Sequence, residues 1–232
     1  MSRRIAPEQK EKQNSHSESM KKQEKRMSAQ QNIIAYLKER YDPLTIAVYG
    51  SYAEGTNDQH SDYDCLLIVK SKDRPHDDTV VDGVLLDCFL YSEQEVRQEN
   101  VETFVPLYEA ELVYDTGIGQ VLQSKVRNYV QAHTVHRPEE KHFLVSWIKK
   151  TMKRMEKSDE EGHFRAIAFL AESMEDYCFL RDRFYFGSKK TIRYLQEEDE
   201  QGFLLFRKAI TIRSNEAIRG WANYILHERS GE

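Results

Sequence analysis

Long hydrophobic runs are missing from this chain of 232 residues. Charged residues make up 31%, mean hydropathy is −0.74, and no apolar stretch approaches the ~18 residues that a membrane-spanning helix needs. A membrane span is thus excluded from the reading. No apolar segment of signal-peptide type follows Met1, so no secretory leader is expected and the chain reads as cytoplasmic. Cysteine is scarce, at three. Cys65, Cys88 and Cys178 are odd in number, unclustered and set in apolar sequence, the pattern of reduced core thiols rather than a disulfide frame. Zinc spacing is absent too, since His133-x-x-His136 has no cysteine partners and reads as polar loop.

Excess positive charge is also lacking. The net charge is −5, and residues Met1 to Gln31 hold eight Lys or Arg against four Glu, so a +4 stretch leaves −9 for the rest. Sequence-independent nucleic-acid binding draws on Lys and Arg at phosphates. The basic stretch mixes its signs and has no interleaved aromatics, so it reads as a polar tail or frayed helix over residues 1–31 without a function. An acidic body suits a cationic small molecule better than a nucleic acid.

What is present is a set of acids at strand spacing. Ala47-Val48-Tyr49-Gly50-Ser51 is followed, ten residues on, by Asp62-Tyr63-Asp64 and the apolar run Cys65 to Val69. In an extended strand residues two apart share a face, so Asp62 and Asp64 point together. Like charges that close call for a cation between them, and oxygen ligands suit Mg2+. A third acid, Asp87, sits within the apolar run Val84 to Leu90. A carboxylate buried there needs a partner, because leaving it unpaired costs on the order of several kcal/mol. Gly50 permits close backbone approach, and Ser51 with its neighbouring amides can bind phosphate oxygens, so the segment reads as a phosphate cradle.

In that order, Gly50-Ser51, Asp62-x-Asp64 and Asp87 resemble the nucleotidyltransferase fold of the DNA polymerase beta superfamily. Leu112-Val113-Tyr114-Asp115-Thr116-Gly117 extends the resemblance toward the small bacterial kanamycin and lincosamide nucleotidyltransferases, over about residues 32 to 200. The resemblance implies an α+β chain: a small mixed sheet flanked by helices, followed by an all-helical bundle. The expected division is a nucleotidyltransferase domain over 32–135 and a helical domain over 136–232.

The coarse pattern agrees with that division. A helix over Asn32 to Arg40 feeds strands at 45–49, 62–69, 83–90 and 112–114, with helices at 92–100 and 119–131. From His133 to Pro138 a hinge leads into helices alone. In the first of these, Phe143, Leu144, Trp147, Ile148, Met152 and Met155 mark an apolar face, and Lys149, Lys150, Lys153 and Arg154 mark the other. In the next, residues 164–182, the expected stripe is Ile167, Leu170, Ala171, Met174, Tyr177 and Cys178, with Glu172, Glu175 and Asp176 elsewhere. The segment Arg181 to Lys190, dense in aromatics and cations, places Tyr185 as a substrate candidate.

The resemblance implies transfer of a nucleoside monophosphate from an NTP, read as ATP, to a hydroxyl of a small acceptor such as an aminoglycoside or lincosamide. Asp62, Asp64 and Asp87 would hold Mg2+, two ions in all, and Gly50 and Ser51 would hold the phosphates. In the kanamycin family a lysine from the first helix of the helical half reaches the triphosphate, which makes Lys149 and Lys153 the candidates here. That family's catalytic glutamate falls in the Trp147 to Lys150 stretch, so the base is left between Asp87 and Glu172 or Glu175. Glu172 and Glu175 would also meet a cationic acceptor. Two alternatives stay open: an antitoxin-like enzyme acting on a protein partner, and a non-catalytic nucleotide-binding scaffold. A homodimer is open as well.

Overall fold

Strand parity organises the first half of the chain. Tyr63, Cys65, Leu67 and Val69 on one strand and Leu86, Cys88 and Leu90 on another are all buried, each set at period two. The apolar sides of these strands, with Ile46 and Val48 and with Ile33 and Leu37 from the helix over residues 29–41, form one core. Residues out of phase with it must face the other way. Asp64 and Asp87 are both out of phase.

The computed structural model describes residues 29–157 and 159–227. The polar tail expected over 1–31 therefore lies outside the described residues, except for 29–31, which open the first helix (α1, residues 29–41). After it come β1 (Thr45–Val48), a one-turn helix α2 (Gly50–Ala53), β2 (Tyr63–Val69), β3 (His76–Asp77), β4 (Val80–Val81) and β5 (Val84–Ser92). Then follow α3 (Glu93–Gln98), a 3-10 helix (Val101–Tyr108), β6 (Glu111–Asp115) and α4 (Ile118–Ala132). The remainder is helical: α5 (Pro138–Met155), α6 (Glu160–Leu180), α7 (Ser188–Glu198), α8 (Glu200–Ile212) and α9 (Asn215–Leu226).

The sheet is mixed, in the order β3-β5-β2-β1-β6, with β4 paired to β5 off that path. β2 and β5 run parallel, and the other pairs are antiparallel. Asp82 and Gly83, both left-handed at φ 51° and 80°, turn β4 into β5, the Asp-Gly chemistry that a tight hairpin favours. The α+β architecture expected from the sequence, a mixed sheet with flanking helices followed by helices alone, is the observed one.

The chain divides into two compact units, one ending at Arg127 and the other beginning at Asn128. The second unit has its own core around Trp221, Tyr177, Phe169, Phe206, Ile148 and Leu195. Polar groups inside it are matched. Trp221 Nε1 donates to Ser173 Oγ at 2.9 Å. The buried Asp199 accepts from the Tyr177 hydroxyl at 2.6 Å, from the Tyr224 hydroxyl, and from the Gly202 amide at the start of α8.

Two expected apolar faces need correction. On α5, Phe143 is 73% exposed while Ile148, Met152 and Met155 are buried. On α6 the buried residues are Gly162, Ala166, Phe169, Ser173, Met174, Tyr177, Cys178 and Leu180, whereas Ile167 is 66% exposed and Ala171 is exposed. α6 is apolar on more than one side, so sequence period gave the helix but not the face its neighbours cover.

Candidate active site

Three elements of the first unit meet at the start of β2. Asp64 is the Cα partner of Asp87 across the parallel β2–β5 pair, so the two acids stand on the same face of adjacent strands, whose backbones run about 4.8 Å apart. Tyr49 at the end of β1 donates its amide to the Asp64 carbonyl at 3.1 Å. Gly50 follows with φ +65°, and a Cβ placed on it would overlap the Asp64 side chain, 2.9 Å from Cγ and 3.3 Å from Cβ. The conformation and the space both demand glycine. Its backbone therefore lies against the Asp64 carboxylate.

The segment read as a phosphate cradle takes the form of the helical turn of α2. Glu54 donates to the Gly50 carbonyl at 3.0 Å, and Thr56 and Asn57 donate to the Ser51 carbonyl at 2.9 and 3.1 Å. Ser51 is thereby fixed on a closed turn, half-buried. Asp62 stands one residue before β2, exposed, with the parity of Asp64 and flanking the buried Tyr63.

Asp87 is not buried as its apolar context suggested, because its side chain is 42% exposed. It has a partner that the sequence did not disclose: His76 Nε2 lies 2.7 Å from Asp87 Oδ1. Tyr49 is a second neighbour that the motif spacing does not reveal. Burial, then the charges of Asp87, Cys65 and Asp64, push its phenol well above the ordinary value, so a neutral hydroxyl sits beside the acids. On the opposite face Cys65 and Cys88 are buried register partners and free thiols. Their mutual hydrogen bond and their burial hold the Cys65 thiol well above its usual range.

The stretch Leu112 to Gly117 has a structural task. Asp115 accepts from Thr45 Oγ1 at 2.7 Å and from the amides of Gly119 and Gln120 at 2.8 and 3.1 Å. It thus ties β6 to β1 and closes the first turn of α4.

Do these residues fit a divalent ion? Asp64 and Asp87 offer oxygen ligands on a shared face, and the missing Cβ of Gly50 lets the Asp64 carboxylate take that place. Mg2+ is commonly held by one or two carboxylates together with substrate phosphates and water rather than by a full protein cage. Among the described residues no group of three or more His, Cys, Asp or Glu side chains forms such a cage. The acid pair fits the first pattern.

The second unit carries the other candidates. Lys149 and Lys153 are exposed on α5, while Arg154, expected on the same face, is committed to Asp159 at 2.9 and 3.0 Å and to Glu161 at 2.5 Å. Glu172 and Glu175 line a cavity of about 620 Å³ between α5 and α6, with Glu139, Glu140 and Asp176. One Asp176 oxygen is buried without a hydrogen-bond partner. Burial, then Glu172 and Glu175, push its carboxyl up to about 7. Tyr185 does not line this cavity and packs half-buried on the second core. Burial, then the Glu175 charge, raise its phenol.

Residues 31–136 match the family model of the nucleotidyltransferase domain. A crystal structure of a toxin–antitoxin with AMP-PNP is similar at 16% identity and a TM-score of 0.31, over 44% of this chain and 86% of that one. A nucleotidyltransferase-like protein from Exiguobacterium sibiricum is similar at 10% identity and a TM-score of 0.37, over 86% of this chain and 73% of that one. No curated protein matches the chain.

Proposed function

We propose that this chain, a nucleotidyltransferase by the domain at residues 31–136, moves a nucleoside monophosphate from an NTP to a hydroxyl of a small cationic acceptor and releases pyrophosphate. The observation that carries the reading is the in-register pair Asp64 and Asp87 beside the backbone of Gly50. Asp62, Asp64 and Asp87 would hold Mg2+, which supplies positive charge against the triphosphate and lowers the pKa of the attacking hydroxyl. The acceptor oxygen forms a bond to the α-phosphorus as the bond to the β-phosphate oxygen breaks. Asp87 takes the hydroxyl proton.

The Ser51 hydroxyl and the backbone at Gly50 hold phosphate oxygens. Lys149 and Lys153 are the cations assigned to the departing pyrophosphate. Glu172 and Glu175 are assigned the ammonium groups of the acceptor. What supports that assignment is the five-carboxylate cavity of the second unit, which suits an amine-bearing ligand. ATP as donor and an aminoglycoside as acceptor are the specific form of the proposal.

The test is pyrophosphate release from each NTP with Mg2+ across cationic and neutral hydroxylated acceptors. Release that depends on a cationic acceptor supports the reading. Transfer of label to a protein alone would replace the small acceptor by a protein. Nucleotide binding with no transfer to any acceptor would leave a scaffold.

A further inference from the structure

β3 is only two residues long, yet it is anchored far beyond what a surface strand needs. Asp77 is fully buried and accepts from the Tyr41 hydroxyl at 2.7 Å, the Tyr36 hydroxyl at 3.2 Å and the Thr79 amide at 3.0 Å. The backbone is clamped on both sides of it, since Leu90 donates to the Pro75 carbonyl at 2.9 Å and Leu86 to the Thr79 carbonyl at 3.0 Å. Asp77 pairs with Cys88 and faces inward, so His76, one residue earlier, is turned to the face that carries Asp87. His76 pairs with Phe89 and packs on its ring, centroids 4.8 Å apart. That places its Nε2 diagonally across the strand pair, 2.7 Å from Asp87 Oδ1.

Resting on the metal-binding reading given above, we propose that His76 is a positioning residue for Asp87. Its Nε2–H holds one carboxylate oxygen, fixes the rotamer of the side chain and leaves the second oxygen as the ligand for the divalent ion. A carboxylate on an exposed strand face otherwise turns freely about two bonds, and ordering it at binding costs affinity. Hydrogen bonds of this kind to ligating groups are worth about 10–100-fold in metal affinity. The bonds from the two α1 tyrosines to Asp77 keep so short a strand in place, as the mount for this imidazole.

The experiment is Mn2+ titration of the full chain, without nucleotide, read by the loss of the free-ion EPR signal. The unaltered chain is compared with Asp64→Asn, Asp87→Asn, His76→Ala and His76→Gln. His76→Ala is expected to weaken Mn2+ binding about 10–100-fold. His76→Gln, whose amide can donate from nearly the same point, is expected to return most of it. In turnover, His76→Ala should raise the Mg2+ concentration needed for half-maximal rate, while saturating Mg2+ restores the maximal rate. Equal or tighter Mn2+ binding by His76→Ala overturns the inference, as does a Gln variant that fails as badly as Ala, which would assign the effect to packing on Phe89. Should Asp64→Asn and Asp87→Asn bind Mn2+ like the parent, or the parent bind none, the metal-binding reading itself falls.

Discussion

Asp176→Asn isolates the strain of the acid-lined cavity. The carboxyl titrates at about 7 against an ordinary value of 3.8, with burial as the larger cause and Glu172 and Glu175 adding to it. A raised pKa means that the folded state holds the proton more tightly than the unfolded chain. Stability therefore falls as pH rises from about 4 to about 7 and stays at its lower level above. The full shift corresponds to a ceiling of about 4 kcal/mol. Glu172 and Glu175 are exposed, so solvent screens their share, and on the order of 2 kcal/mol is the expected figure.

Asparagine keeps the shape and cannot ionise. It should match the parent at about pH 3, below the ordinary carboxyl value, and gain about 2 kcal/mol at pH 8, read from urea midpoints at each pH. His136 lines the same cavity and stacks on Phe179 with centroids 3.6 Å apart. Burial lowers its pKa, so it destabilises the fold as pH drops below about 6.5, opposite in sign to Asp176. Because both chains carry His136, their difference reports on Asp176. Parallel stability curves for parent and variant from about pH 3 to about pH 8 would refute the reasoning.

Other perturbations follow from the same geometry. Gly50→Ala forces a methyl group into the Asp64 carboxylate at φ +65°; it should cost about 1–3 kcal/mol in thermal or urea unfolding and reduce transfer more than nucleotide affinity. Tyr177→Phe removes the 2.6 Å bond to the buried Asp199 and should destabilise by about 1–3 kcal/mol in urea, with transfer at saturating substrate unchanged.

The sequence disclosed the acids well because strand parity is local. Tyr63, Cys65 and Leu67 alternate with Asp62, Asp64 and Leu66, and one face had to be the core. The pairing of Asp64 with Asp87 needed the parallel register, which is a long-range fact. His76 was invisible because a two-residue strand has no period, and its function depends on which residue of β5 lies diagonally opposite. Ile167 went wrong for a related reason: α6 carries Phe164, Ile167 and Phe169 around its circumference, and only tertiary packing selects Phe169. The capping role of Asp115 was hidden in a stretch that looked merely like part of the family pattern. Glu172 and Glu175 were legible as an acidic surface, while their closure around Asp176 required α5 to supply the other wall.

The most direct test of the central claim is acceptor-dependent pyrophosphate release by the parent and by Asp64→Asn, measured side by side with Mg2+ and ATP. The amide keeps the size of the side chain against Gly50 and removes the charge, so the variant should fold with an unchanged melting temperature and lose transfer by at least about 100-fold. Release by a folded Asp64→Asn at the parental rate would contradict the account.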